Sequence, residues 1–175
     1  MNYKNILILP EHLQNASDVT RIGRKHKSKH FTYVWWHVNG SELIKPLYFG
    51  KSPLDKEWKK GTYFSRLYRE LGGTPGFGWI AESTGSQQHY KKWVERVPEL
   101  TKNDVAIFVY DYTNHVKDWT DKQIDIFISN REHDLNKNLT STYGFPTLNI
   151  APTKHQCGEP SKEFEDRLNS IIEFK

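Results

Sequence analysis

The run Val105-Ala106-Ile107-Phe108-Val109-Tyr110 constrains this chain more than any other stretch. Its residues are strand formers, and in an extended segment successive side chains point to opposite faces. Both faces of this segment are apolar, so it is stable only as a central strand covered on both sides. The rest of the chain must therefore supply neighbouring strands and two covering layers.

One neighbouring pair is legible upstream. Phe31 to Val38 (Phe-Thr-Tyr-Val-Trp-Trp-His-Val) is rich in aromatic and β-branched residues and reads as a strand. Asn39-Gly40 is a strong two-residue hairpin signal, and a second strand at Pro46 to Phe49 then runs back antiparallel and ends at Gly50. A further short strand is expected at 6–9, before Pro10. Residues 63–71 carry apolar positions 64, 67, 68 and 71, one face of a helix. Gly72-Gly73-Thr74-Pro75-Gly76 stops that helix. The longest helix is expected from Asp121 to Leu139. Thr120 is its N-cap, and Ile124, Phe127, Ile128, Leu135 and Leu139 are its apolar positions. Ser161 to Phe174 reads as a final helix.

These elements define an α+β fold: a small central antiparallel sheet of about three core strands, flanked by helices at 63–71 and 121–139. A length of 175 residues fits one domain. The expected organisation is a basic N-terminal arm over 1–30, a core over 31–150 with a loop and helix insertion at 72–97, and a C-terminal loop and helix over 151–175.

Charge narrows the choice of partners only slightly. There are 25 Lys and Arg against 21 Asp and Glu, a net charge of +4. Residues 21–30 hold five Lys or Arg and two His. They read either as a solvated connector or as an arm on a phosphate backbone, with Arg24 and Lys27 as contacts. The single cysteine, Cys157, rules out an intrachain disulfide and a thiolate metal cluster, which fits a cytoplasmic protein. The apolar run Ile6 to Leu9 is too short for a signal peptide or a membrane span, so no membrane partner is expected.

The chemistry concentrates in Leu47-Tyr48-Phe49-Gly50-Lys51 and in Tyr63-Phe64-Ser65-Arg66-Leu67-Tyr68-Arg69-Glu70. A strand ending in glycine, followed by a helix with an arginine on its flank, brings a phenol, a lysine and a guanidinium to one sheet edge. Phosphodiester hydrolysis needs a group that orients and deprotonates water, a cation facing the equatorial oxygens, and help for the leaving oxygen. A tyrosine hydroxyl is a poor base at its free pKa near 10. Nearby positive charge makes it usable, and Lys51 is expected to supply that charge to Tyr48. Glu132 interrupts the apolar stripe between Ile128 and Leu135. It is either a helix-edge glutamate beside Arg131 or a metal ligand facing the sheet. Asn149, after Gly144-Phe145-Pro146-Thr147-Leu148, is expected to hydrogen-bond back into the site. In the insertion, Gln87, Gln88, Lys91, Lys92 and Arg96 either offer donors to base edges and phosphates or belong to an ordinary polar helix. The glycine-rich stretch 72–78 lacks the Lys-Ser/Thr ending of a phosphate-binding loop. A carboxylate-pair nuclease core around Asp104 or Asp111 would want a following Glu-x-Lys, and neither has one.

On these residues the chain resembles the GIY-YIG nuclease superfamily, and within it the diverged Type II restriction enzymes. Tyr48-Phe49-Gly50, followed by Lys51, matches the second name-giving triplet, and Phe31-Thr32-Tyr33 keeps the tyrosine of the first. Arg66 matches the arginine of the first helix. The place one turn later, often histidine or tyrosine in the family, holds Glu70 here, with Tyr68 as a local substitute. The resemblance covers residues 31–150. It implies Glu132 as the ligand of a single Mg²⁺ (with Mn²⁺ as a substitute), Asn149 as the family asparagine, and Arg66 on the scissile phosphate. Tyr33 would be the general base, supported by Tyr48. The activity implied is site-specific cleavage of double-stranded DNA by a homodimer on a palindromic site. A DNA-binding module without activity, and a related nuclease of repair, recombination or mobile-element mobility, are the competing readings.

Overall fold

The all-apolar strand sits where its composition requires. In a computed structural model, residues 4–14, 16–52, 64–68, 95–144, 146 and 149 are described. Four strands form one antiparallel sheet: β1 (Lys4–Ile8), β2 (Phe31–Asn39), β3 (Glu42–Lys51) and β4 (Val105–Asp111). Their order is β1-β4-β2-β3. Strand β4 is paired on both sides and buried along its whole length. Around the sheet lie α1 (Ala16–His26), α2 (Ser65–Tyr68) and α3 (Asp121–Tyr143), with 3-10 turns at Pro10–Gln14 and Lys102–Asp104. The α+β class holds, with one strand more than the expected three.

Strand alternation sorts the core into two layers. Phe31, Tyr33 and Trp35 face a cluster with Val19 of α1, Phe64 and Leu67. Val34, Trp36 and Val38 face Ile124, Ile128, Leu135 and Leu139 of α3. The consecutive Trp35 and Trp36 are thus both fully buried, on opposite sides of one strand. Burying an indole of this size contributes roughly 4–6 kcal/mol of transfer free energy before its entropy cost.

The N-terminal segment is not an arm. Strand β1 pairs with β4 from Lys4↔Asp111 to Ile8↔Ile107, and Ile6 and Ile8 are buried. Residues 16–26, expected to belong to the basic arm over 1–30, form α1. Gly23 hides this helix in the sequence, because glycine costs about 1 kcal/mol there relative to alanine. It is needed for space: a Cβ at Gly23 would stand 2.9 Å from Phe64 Cγ. The connector after α1 is tied down by Asp111. Its buried carboxylate accepts from Ser28 Oγ at 2.6 Å and Thr113 N at 3.0 Å, and lies 3.5 Å from Lys4 Nζ. Asp104 lies at the far end of β4, in a capping box with Thr101 whose hydrogen bonds hold its carboxyl below the usual range. The two aspartates therefore do not form a carboxylate pair.

The hairpin turns beside the expected Asn39-Gly40, at residues 40–41 between the paired Asn39 and Glu42, with Gly40 at φ 59°. Strand β3 is longer than Pro46 to Phe49. It carries Pro46 because it is an edge strand, where a missing N–H goes unused, and its register with β2 shifts beside that residue. Helix α3 begins at the Thr120 cap, completed by Gln123. It runs one turn past Leu139 to Gly144, and Tyr143 packs edge-on against Trp36 at 5.2 Å. The expected final helix Ser161 to Phe174 and residues 72–94 of the insertion lie outside the described residues. Among the described residues no helix is long and apolar enough to cross a membrane.

Candidate active site

The candidate residues gather about the last turn of the pleat in edge strand β3. Alternation puts Tyr48 and Gly50 on the α1/α2 side and Phe49 and Lys51 on the α3 side. Tyr33 is opposite Gly50 in register, and its fully buried ring lies across that glycine. A Cβ at position 50 would be 2.5 Å from Tyr33 Oη. Gly50 thus makes room for Tyr33. Tyr48 is only half-buried and stacks at a tilt with Tyr33 (6.1 Å) and Trp35 (5.1 Å). Arg66 is half-buried on α2, whose Leu67 joins the same apolar cluster.

On the other face Lys51 reaches α3. Its Nζ donates to Ser129 Oγ at 2.6 Å and lies 3.9 Å from Glu132 Oε2 and 4.0 Å from Asp125 Oδ1. The sequence reading aims Lys51 at Tyr48; the pleat turns it the other way. Glu132 breaks the apolar stripe because α3 passes the edge strand there, leaving its side chain 31% exposed and beside a lysine. Arg131, its sequence neighbour, turns instead to Asp134 at 2.7 Å and lies over the Phe127 ring.

Asn149 does reach back into the site. Its Oδ1 accepts from Phe49 N at 2.9 Å and its Nδ2 donates to Phe49 O at 3.1 Å. The amide therefore pairs with the open edge of β3 between Tyr48 and Lys51, as a further strand would. Arg96 is exposed and donates to Asn149 O at 3.2 Å. Arg24 and Lys27 are exposed at the end of α1, and the next residue, Ser28, accepts from Phe64 N at 3.4 Å. The basic segment thus adjoins the start of α2. Gln87, Gln88, Lys91 and Lys92 lie outside the described residues, as does Glu70.

Asp125 and Ser129 are absent from the sequence-derived set. Their signal is spacing: 125, 129 and 132 stand at i, i+4 and i+7, one face of a helix. The arrangement is an α+β domain with phenols and an arginine-bearing helix on one side of an edge strand, and an ammonium with two carboxylates on the other. No protein-family model, curated protein or solved structure matches the chain.

Proposed function

We propose that the protein is a Mg²⁺-dependent endonuclease that cuts double-stranded DNA at a short specific site, a diverged relative of the GIY-YIG nucleases of the Type II restriction branch. The observation that carries this reading is the Lys51–Glu132 pair, 3.9 Å apart, at the end of the strand that bears Tyr48 and is clipped by Asn149. A phosphodiester lying along that edge is within reach of groups from both faces of the sheet.

The donor chemistry fits the metal. Mg²⁺ favours hard oxygen ligands, keeps several waters and needs one or two protein carboxylates beside substrate phosphate. Glu132, partly exposed with Asp125 on the same helix face, would hold it. When bound, the ion supplies charge to a phosphoryl oxygen and makes a bound water more acidic. The chain's own residues do the rest. Lys51 and Arg66 neutralise phosphate charge. Tyr48, the phenol with exposed surface, orients the attacking water, and Tyr33 packs against its ring. Asn149 holds the strand between Tyr48 and Lys51. Arg24 and Lys27 contact the backbone of the duplex and position it without reading sequence. A homodimer on a palindromic site, acting on foreign DNA in the cytoplasm, completes the reading.

The test is cleavage of mixed DNA with Mg²⁺ or Mn²⁺, beside metal-free and Glu132→Gln reactions. Discrete fragments that vanish in both controls, while E132Q still binds DNA, are the expected result. Salt-sensitive binding with no cutting under either metal would replace the enzyme by a DNA-binding module. Equal cutting by E132Q would remove Glu132 from the site.

A further inference from the structure

We propose that Ser129 is a positioning residue of this site, holding the Lys51 ammonium so that it meets phosphate without closing onto Glu132. The inference rests on the nuclease reading for its purpose, but its geometry stands apart from it. Of the three described groups around Lys51 Nζ, only Ser129 Oγ is within hydrogen-bonding range, at 2.6 Å; Asp125 and Glu132 stand off at 4.0 and 3.9 Å. The carboxylates neutralise the ammonium through space, and the neutral hydroxyl gives it direction.

The hydroxyl is itself directed. Serine has one proton to give and two lone pairs to accept with, and Ser129 Oγ lies 3.5 Å from Asp125 Oδ1 as a donor while it accepts from Lys51. A chain from ammonium to hydroxyl to carboxylate results, with Asp125 orienting Ser129. Serine in the middle of a helix is a weaker helix former than alanine and commonly bonds back to the carbonyl four residues earlier. Here its side chain turns to β3, so the residue has a reason outside helix stability.

The consequence concerns availability. An ammonium has three N–H donors. One goes to Ser129, and among the described residues none of the others has an acceptor in hydrogen-bonding range. The Lys51 side chain is 30% exposed, so those donors are open to a phosphate oxygen. Without the hydroxyl, Lys51 relaxes onto the nearer carboxylate and its donors are spent there.

Ser129→Ala and Ser129→Thr test this. On a DNA that the wild type cuts, S129A is expected to lower kcat about 10- to 100-fold with little change in KM, and S129T to restore most of it. The second readout needs no activity: nitrogen-detected NMR of the lysine ammonium groups, with Lys51 assigned through Lys51→Arg. In the wild type that signal is hydrogen-bonded and shifts only slightly in Glu132→Gln. In S129A it shifts and becomes sensitive to Glu132→Gln. Unchanged kcat in S129A beside a dead E132Q would overturn the inference and leave the nuclease standing, and failure of S129T to rescue would also overturn it. If the wild type cuts nothing, the nuclease reading fails, and the NMR comparison alone decides whether Ser129 tethers Lys51.

Discussion

Replacing Gly50 by alanine probes the contact on which the two tyrosine strands depend. The added methyl group would stand 2.5 Å from Tyr33 Oη and 2.7 Å from its Cζ, well inside the roughly 3.5–4.0 Å of ordinary contact. The ring has nowhere to go: it is fully buried, with Phe31 at 6.0 Å and Tyr48 at 6.1 Å. Two effects oppose each other. Alanine inside a strand is better than glycine by about 0.5–1 kcal/mol, whereas overpacking a filled core costs about 1–3 kcal/mol. The second wins, and Gly50→Ala is expected to lose about 1–2 kcal/mol, or roughly 2–8 °C in Tm for a chain of this size. In a Tyr33→Ala background the obstruction is gone, and the same change becomes neutral or gains about 0.5–1 kcal/mol. Urea unfolding followed by tryptophan fluorescence, with m unchanged, closes the double-mutant cycle. A coupling of about 1–3 kcal/mol is expected. Gly50→Ala as stable as wild type, or equally damaging in both backgrounds, would refute the reasoning.

Two other outcomes follow from the buried network beside β4. Asp111→Ala removes the acceptor for Ser28 Oγ and Thr113 N and should cost about 2–4 kcal/mol; a loss below about 0.5 kcal/mol in thermal melts would show those bonds to be idle. Burial, and then Lys29, hold His30 below its ordinary value of 6.5; burial, then Lys4 and Lys25, do the same for His26. The unfolded chain therefore binds protons first as pH falls through about 6.5, and stability declines from there down to the folded-state values. Urea midpoints should fall between about pH 7 and about pH 5 and flatten in His30→Gln; midpoints that rise on acidification would contradict the sign.

What could be read from the sequence follows a physical line. Strand β4, the Asn39-Gly40 hairpin and the Thr120-capped helix were legible because burial and capping leave periodic or positional marks on the chain. Helix α1 was hidden because Gly23 answers to Phe64, forty-one positions away, rather than to its own helix. Strand β1 was legible as a strand but not as part of the sheet, since its pairing residues lie on β4. Among the candidate-site residues, Asn149 makes the return hydrogen bond expected of it. The direction of Lys51 was not legible. That depends on the parity of β3 relative to Tyr48, and its partner Ser129 is too ordinary a residue to stand out.

The pairing of Lys4 with Asp111 joins positions about 100 residues apart. During synthesis at about 5–20 residues per second, β1 emerges roughly 5–20 s before β4. Through that interval Ile6 and Ile8 have no sheet to enter, while the β2–β3 hairpin, closed by a two-residue turn, can form in microseconds. Of the four described strands, the first to leave the ribosome is thus among the last to find its place. A chaperone that holds nascent apolar segments would meet this protein at β1, and it would let go when Val105–Asp111 arrives.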